Sequence, residues 1–156
     1  MSGDLEGLLV VSLEQAVAAP YCACKLADAG AREIKLERPE GDFARRYDAC
    51  VNGLSAYFVW LNRGKQSVRV DLKAPDDHAL VRRLIARADV FIQNLAPGAP
   101  GRLGLASESL RAAHPRWILS AAAHSGAAIA KAAAAGADAV FLSPVFPTLS
   151  HPGQPA

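Results

Sequence analysis

Leu8-Leu9-Val10-Val11-Ser12-Leu13, followed by Pro20, by Tyr21 to Ala29 and by Arg32-Glu33-Ile34-Lys35-Leu36-Glu37, is the stretch that decides the fold. The first run is apolar and of strand length, fit to be buried on both faces as the strands of a parallel sheet are. Pro20 stands where the first turn of a helix tolerates proline, since the N–H it lacks has no intrahelical partner there. The spacing predicts a helix over Tyr21 to Ala29, stopped by Gly30. Arg32 to Glu37 alternates polar and apolar side chains and reads as a second strand with one wetter face. Arg38-Pro39-Glu40-Gly41-Asp42 ends that strand with turn residues. Strand, helix and strand at this spacing argue for parallel neighbours.

The alternation continues downstream. Between Phe43 and Gln66 the periodicity weakens, and Tyr57, Phe58, Trp60 and Leu61 form an aromatic patch predicted to be a short helix packed on the core. Ser67 to Leu72 sets Val68, Val70 and Leu72 against Arg69 and Asp71, a third strand. Pro75 to Ala88 is the clearest helix, with Leu80, Val81, Leu84, Ile85 and Ala88 on one face. Asp76 and Asp77 occupy its first turn and Arg82, Arg83 and Arg87 lie toward its end, which complements the helix dipole. Asp89 to Asn94 follows as a strand, and Pro97 to Gly104 as a loop rich in glycine and proline. Ser107 is placed to cap a helix from Glu108 to Ala113 that ends near Pro115. Trp117 to Ala121 reads as strand, His124 to Ala135 as an alanine-rich helix ended at Gly136, and Ala139 to Leu142 as the last strand. The fold class is α/β, a mostly parallel sheet with helices on both faces.

The chain has 156 residues, 51% of them apolar and 21% charged, which allows one domain with a real core. A net charge of +2 is too small to imply nucleic acid as a partner. The long apolar runs are interrupted by charges or are mostly alanine, so no stretch reads as a membrane span. Met1 to Glu6 has neither the basic start nor the apolar segment of a signal peptide, so a cytoplasmic location is expected. Cys22, Cys24 and Cys50 are an odd count with no metal-ligand or redox spacing, and they read as small buried side chains with no metal expected.

In an open parallel sheet, ligands collect at the carboxyl ends of the strands. After the first strand comes Gln15-Ala16-Val17-Ala18-Ala19-Pro20, small residues leading into a helix. Arg38 follows the second strand, Lys73 the third, and Asn94 with the loop holding Arg102 the fourth. Cations and amides converging there suit a phosphorylated nucleotide; the same residues also read as solvated loop positions. There is no GxGxxG and no Walker A lysine motif, so ordinary dinucleotide and triphosphate sites are unsupported.

Specific segments in a fixed order point further. They include Leu5-Glu6-Gly7-Leu8-Leu9-Val10-Val11-Ser12-Leu13, Ala18-Ala19-Pro20-Tyr21, Leu26-Ala27-Asp28-Ala29-Gly30-Ala31, Ile34-Lys35-Leu36-Glu37-Arg38-Pro39 and Gly41-Asp42. Leu61-Asn62-Arg63-Gly64-Lys65-Gln66-Ser67, Asp71-Leu72-Lys73, Ala88-Asp89-Val90, Asn94-Leu95-Ala96-Pro97-Gly98, Arg102-Leu103-Gly104-Leu105 and Leu110 to Arg116 continue the series. Together they resemble the opening segment of family III CoA-transferases, which move coenzyme A between acids. The resemblance implies a Rossmann-like domain holding the CoA nucleotide of an acyl-CoA substrate, and a homodimer of interlocked chains. By position, Arg38, Leu72, Lys73, Asn94 and Arg102 match places where the family contacts CoA, the cations on phosphate and the Leu72 region beside the adenine. Val17 stands where some members carry a glutamine. The family's covalent step forms a mixed anhydride on an aspartate, and no segment matching that aspartate is found, so the chain is expected to be truncated before it and inactive alone.

From about Trp117 the pattern changes. Ala123-His124-Ser125 and Ser143-Pro144-Val145-Phe146-Pro147-Thr148 resemble a late β-α-β portion of thiamine phosphate synthase, a (β/α)8 barrel. That resemblance implies polar phosphate contacts at Ser120, Ser125, Thr148 and Ser150, with His151 where many members have lysine. The chain is therefore expected to join a CoA-transferase-like segment, 1–117, to a tail of barrel origin, 118–156, whose strands add to the same sheet. A non-catalytic α/β binding or scaffold module is the rival reading, and a remnant of thiamine phosphate synthase the third.

Overall fold

The computed structural model describes residues 3–115, 117, 120–123, 130, 133–134 and 136–142. The chain divides into two compact units, residues 1–99 and 100–156. That division falls before position 117, where the sequence reading expected a boundary.

The first unit follows the expected alternation: β1 (Leu9–Leu13), α1 (Ala18–Asp28), β2 (Arg32–Glu37), a 3₁₀ turn (Phe43–Arg46), α2 (Ala56–Asn62), β3 (Lys65–Arg69), α3 (Pro75–Arg87) and β4 (Val90–Gln93). The four strands are all parallel in the order β3-β2-β1-β4. α1 begins at Ala18, earlier than the sequence indicated, and takes Pro20 into its first turn. It ends at Asp28, and Gly30 just beyond has a φ of 103° natural only to glycine and no room for a Cβ, which would lie 2.8 Å from the Gly3 Cα. β3 lies two residues ahead of the expected strand, because its pairing with β2 sets Lys65 beside Glu33 and Val68 beside Leu36. Beyond Arg69 the Val70 N–H still reaches the Glu37 carbonyl at 2.8 Å, and then a turn at Asp71–Ala74 leads into α3.

Strand alternation gives the sheet two unlike faces. Val11, Leu13, Ile34 and Leu36 share one face and are buried, and α3, which contacts β1, buries Val81 and Ile85. Removing two such side chains from water contributes about 2 kcal/mol each. The other face carries Ser12 from β1, Glu33, Lys35 and Glu37 from β2, and Lys65 and Ser67 from β3. The expected wetter face is not wet: Ser12, Glu33, Lys35 and Glu37 are 0%, 1%, 1% and 4% exposed. α1 and α2 lie against these groups, for Lys65 donates to the Pro20 carbonyl at 2.8 Å and Lys35 to Asn62 at 2.7 Å. Burial is tolerable for Lys35 and Glu37 because each is paired with an opposite charge, and Ser12 hydrogen-bonds Glu33.

The second unit holds α4 (Ala99–Arg102, its first residue the last of the first unit), α5 (Ser107–Ala113), β5 (Ser120–Ala123) and β6 (Ala139–Leu142). The expected loop over Pro97 to Gly104 thus contains a helical turn. Ser107 is the first residue of α5 and not its cap; Ala106 holds that position and offers no side-chain bond. β5 and β6 run parallel with Ser120 beside Ala139, and they form a two-stranded sheet of their own. The expected extension of the four-stranded sheet is therefore corrected: the hydrogen bonds of β5 go to β6. Arg111 ties α5 to the turn before β6, donating to the Gly136 carbonyl and pairing with Asp138 at 2.8 Å. Within His124 to Ala135, residues 130 and 133–134 are helical and the rest lie outside the described residues.

Candidate functional site: the carboxyl edge of the four-stranded sheet

The strand order reverses at β1, since β2 and β3 lie to one side of it and β4 to the other. In open α/β sheets the carboxyl edge at such a reversal is where ligands bind. Asn94, just past β4, bridges to the loop after β1. Its Oδ1 accepts from the Gln15 N–H at 3.0 Å and its Nδ2 donates to the Gln15 carbonyl at 2.8 Å. The next residue, Ala16, adopts φ 64°, a left-handed conformation unusual for a residue with a Cβ. The Ala16 N–H donates to Asp42 Oδ1 at 3.2 Å from the β2 side. Val17 then caps α1 with no side-chain acceptor, and Pro20 in that first turn has no N–H. The loop from Glu14 to Val17 is thus held on both flanks and leads into a helix start with no side-chain cap at the carboxyl edge.

Behind the loop lies the buried ionic network. Lys35 Nζ donates to Asp42 Oδ2 and to Asn62 Oδ1, both at 2.7 Å, and stands 3.7 Å from Glu14 Oε1. Lys65 Nζ donates to the same Glu14 oxygen at 2.6 Å. Two lysines therefore offset Glu14 and Asp42, and Glu33 is the surplus charge. Ser12 Oγ donates to Glu33 Oε1 at 2.5 Å, while Glu33 Oε2 and Glu14 Oε2 are buried and accept no hydrogen bond from the described residues. Burial, reinforced by the Glu14 charge, pushes the Glu33 carboxyl up to about 7 against the pull of Ser12 and the lysines. Glu37 behaves oppositely. Burial alone would raise it, but hydrogen bonds from Arg45, Ser67 and the Asp42 N–H outweigh that and hold it at about 2. Asp48 is also held at about 2, by the N–H groups of Ala56 and Cys50, and so fixes the loop that enters α2.

Arg38 follows β2, is exposed, donates from Nε to the Gly41 carbonyl at 3.0 Å, and holds its guanidinium 5.8 Å from the centre of the Phe43 ring. Leu72 and Lys73 lie in the turn between β3 and α3, Leu72 half-buried and Lys73 exposed, with the Lys73 N–H on Asp71 Oδ1 at 3.0 Å. Arg38, Lys73 and Asn94 thus follow three different strands of one parallel sheet at its carboxyl side. Arg102 is the exposed last residue of α4 in the second unit. Ser125, Thr148 and Ser150 lie outside the described residues. Cys24 is buried as expected, but Cys22 and Cys50 are exposed; two residues apart on a helix, Cys22 and Cys24 cannot share a face.

The sequence reading passed over Glu14, Asp42, Lys35 and Lys65. The signal for them was present: Glu33, Lys35 and Glu37 alternate within a strand that the topology places at the sheet's interior. The aromatic patch expected to pack on the core does so through Leu61, whereas Tyr57 and Trp60 are about half exposed and join a row of rings. Tyr21–Trp60, Trp60–Tyr57, Tyr57–Tyr47 and Tyr47–Phe43 have centroids 5.8, 6.3, 6.2 and 5.9 Å apart. Tyr21, Tyr47, Tyr57 and Trp60 are between 44% and 50% exposed, so the row faces outward. Among the described residues, no cluster of three or more His, Cys, Asp or Glu is arranged to hold a metal ion, and no helix is long and apolar enough to cross a membrane.

Residues 5–149 match the model of CoA-transferase family III, a span that takes in most of the tail. Acetyl-CoA:oxalate CoA-transferase of Acetobacter aceti is 40% identical over 117 residues, covering 74% of this chain and 30% of that protein. Succinyl-CoA:glutarate CoA-transferase of Mus musculus is 38% identical over 116 residues, covering 73% and 27%. The crystal structure of a CAIB/BAIF family protein from Brucella suis superposes with a TM-score of 0.71 at 39% identity, over 80% of this chain and 34% of the other. The chain therefore spans about a third or less of the length of these relatives. Four parallel strands, a loop clamped at the switch point and a family match over nearly the whole sequence lead to one statement: the chain belongs to CoA-transferase family III.

Proposed function

We propose that the first unit binds the nucleotide portion of a CoA thioester, as the CoA-holding part of an enzyme that transfers CoA between carboxylic acids. The observation that carries this reading is the gathering of strand-end loops at the β1–β4 switch point. Asn94 and the Glu14–Val17 loop meet there, with Arg38 and Lys73 after the neighbouring strands. An uncapped helix start and two cations suit the phosphates of an anionic carrier, and half-buried Leu72 offers an apolar edge for a base. The relatives' names, each a CoA-transferase, supply the chemical class. Transfer of CoA between carboxylic acids is the reaction class proposed, and the part assigned to the first unit is the binding of CoA.

Calorimetric titration of CoA tests the reading. Binding in the micromolar to millimolar range is expected, weakened about tenfold in Arg38→Ala, as loss of one charged phosphate contact implies. Absence of heat and of thermal stabilisation at about 5 mM CoA would instead support a scaffold module. The dimer implied by the family resemblance belongs to the same proposal. The outward row Tyr21, Trp60, Tyr57 and Tyr47 supports it, because exposed apolar patches of this kind mark contact surfaces. Sedimentation velocity of the wild type against Trp60→Ser distinguishes dimer from monomer.

A further inference from the structure

We infer that Asn94 and Asp42 are positioning residues for CoA, acting as a two-sided clamp that keeps Ala16 in its left-handed conformation; this rests on the CoA reading above. The side-chain amide of Asn94, matched by family position to a ligand contact, is occupied at both ends by the backbone of Gln15. One amide satisfying the N–H and the carbonyl of a single residue fixes both peptide units that flank Gln15, the second of them leading into Ala16. On the opposite flank Asp42 Oδ1 accepts from the Ala16 N–H at 3.2 Å and from the Ala44 N–H at 2.9 Å. Asp42 is itself immobilised, because it is 3% exposed and its second oxygen is held by Lys35 at 2.7 Å.

Between these anchors lies Ala16 at φ 64°. An alanine left to itself moves out of that region, since its Cβ crowds the following carbonyl. The conformation persists only where the surroundings over-determine it. What it achieves is directional. The chain leaves β1 at Leu13 and begins α1 at Ala18, and the left-handed Ala16 lies in that short connection, so holding its φ fixes where the helix start is set relative to the strand end. Released, the loop would relax and the helix start would lose its aim at an anionic ligand. Asn94 therefore acts on CoA through Gln15 and Ala16 without needing to touch it.

Glycine at position 16 separates this from direct contact, because glycine adopts the left-handed region without help. The experiment is calorimetric CoA binding to wild type, Asn94→Ala, Ala16→Gly and the double variant, with Asn94→Asp as a second probe that keeps the acceptor for Gln15 N–H and opposes its carbonyl. Asn94→Ala is expected to raise Kd about tenfold, and Ala16→Gly in that background to recover most of the loss. No recovery would mean that Asn94 contacts CoA itself and would overturn the inference, as would an unchanged Kd in Asn94→Ala. A thermal-unfolding cycle on the same four proteins without ligand judges the clamp independently. Asn94→Ala should lower the melting temperature less when residue 16 is glycine. Equal losses in both backgrounds would refute the clamp even if CoA binds, and if the wild type binds no CoA this cycle still decides the clamp while the functional proposal falls.

Discussion

Replacing Glu33 by glutamine tests the electrostatics of the buried face. Glu33 is 1% exposed, has one oxygen on Ser12 and one without a hydrogen-bonding partner among the described residues, and adds a third negative charge where two lysines already match Glu14 and Asp42. Its carboxyl is raised from 4.5 to about 7. Below pH 4.5 both folded and unfolded chains hold the proton, and Glu33 contributes nothing to the pH dependence. Between 4.5 and about 7 the unfolded chain releases the proton while the folded chain keeps it, so stability falls as pH rises. The full loss, reached above the folded value, is about 3 kcal/mol. Glu33→Gln removes that term. Its amide group carries its own cost of an unpaired N–H, but that cost is the same at every pH. In urea unfolding the variant should therefore gain about 3 kcal/mol relative to wild type on going from about pH 4 to about pH 8. A mutant-minus-wild-type difference that is the same at both pH values would refute the reasoning.

Lys35→Met leaves Asp42 and part of Glu14 without their cation in a dry site, and should cost about 3–5 kcal/mol of stability in denaturant unfolding. Glu37, held at about 2, contributes stability that is present above 4.5 and lost as pH falls toward 2. Glu37→Gln should thus destabilise by about 2 kcal/mol near neutrality, after allowance for solvent around half-exposed Arg45, and by much less near pH 2. Gly30→Ala should cost about 1–3 kcal/mol, readable as a lowered melting temperature, because alanine resists a φ of 103° and its Cβ would collide with Gly3.

The parallel α/β fold was legible in the sequence because its signals are local. The apolar run at Val10 and Val11, the alternation at Arg32–Glu37 and the amphipathic pattern of α3 each follow from a few neighbouring residues. The start of α1 was misplaced because Pro20 is tolerated throughout the first turn, so it marks that turn without fixing its first residue. β3 was misplaced because its limits are set by pairing with β2, a contact made 30 or so residues away in sequence. At the site, residue types after strands could be read, but their roles could not. Asn94 looks like a ligand contact in sequence and is engaged with the Gln15 backbone in space. The network of Glu14, Lys35, Asp42 and Lys65 joins residues as far as 51 positions apart, and only the strand order brings them together.

A crystal structure of the chain grown with acetyl-CoA tests the central claim most directly. The expected result is the CoA nucleotide at the carboxyl edge of the four-stranded sheet, with phosphate oxygens near Arg38 and the start of α1 and the Glu14–Val17 loop unchanged. CoA seated away from that edge, with Arg38 and the loop facing bulk solvent, would contradict it.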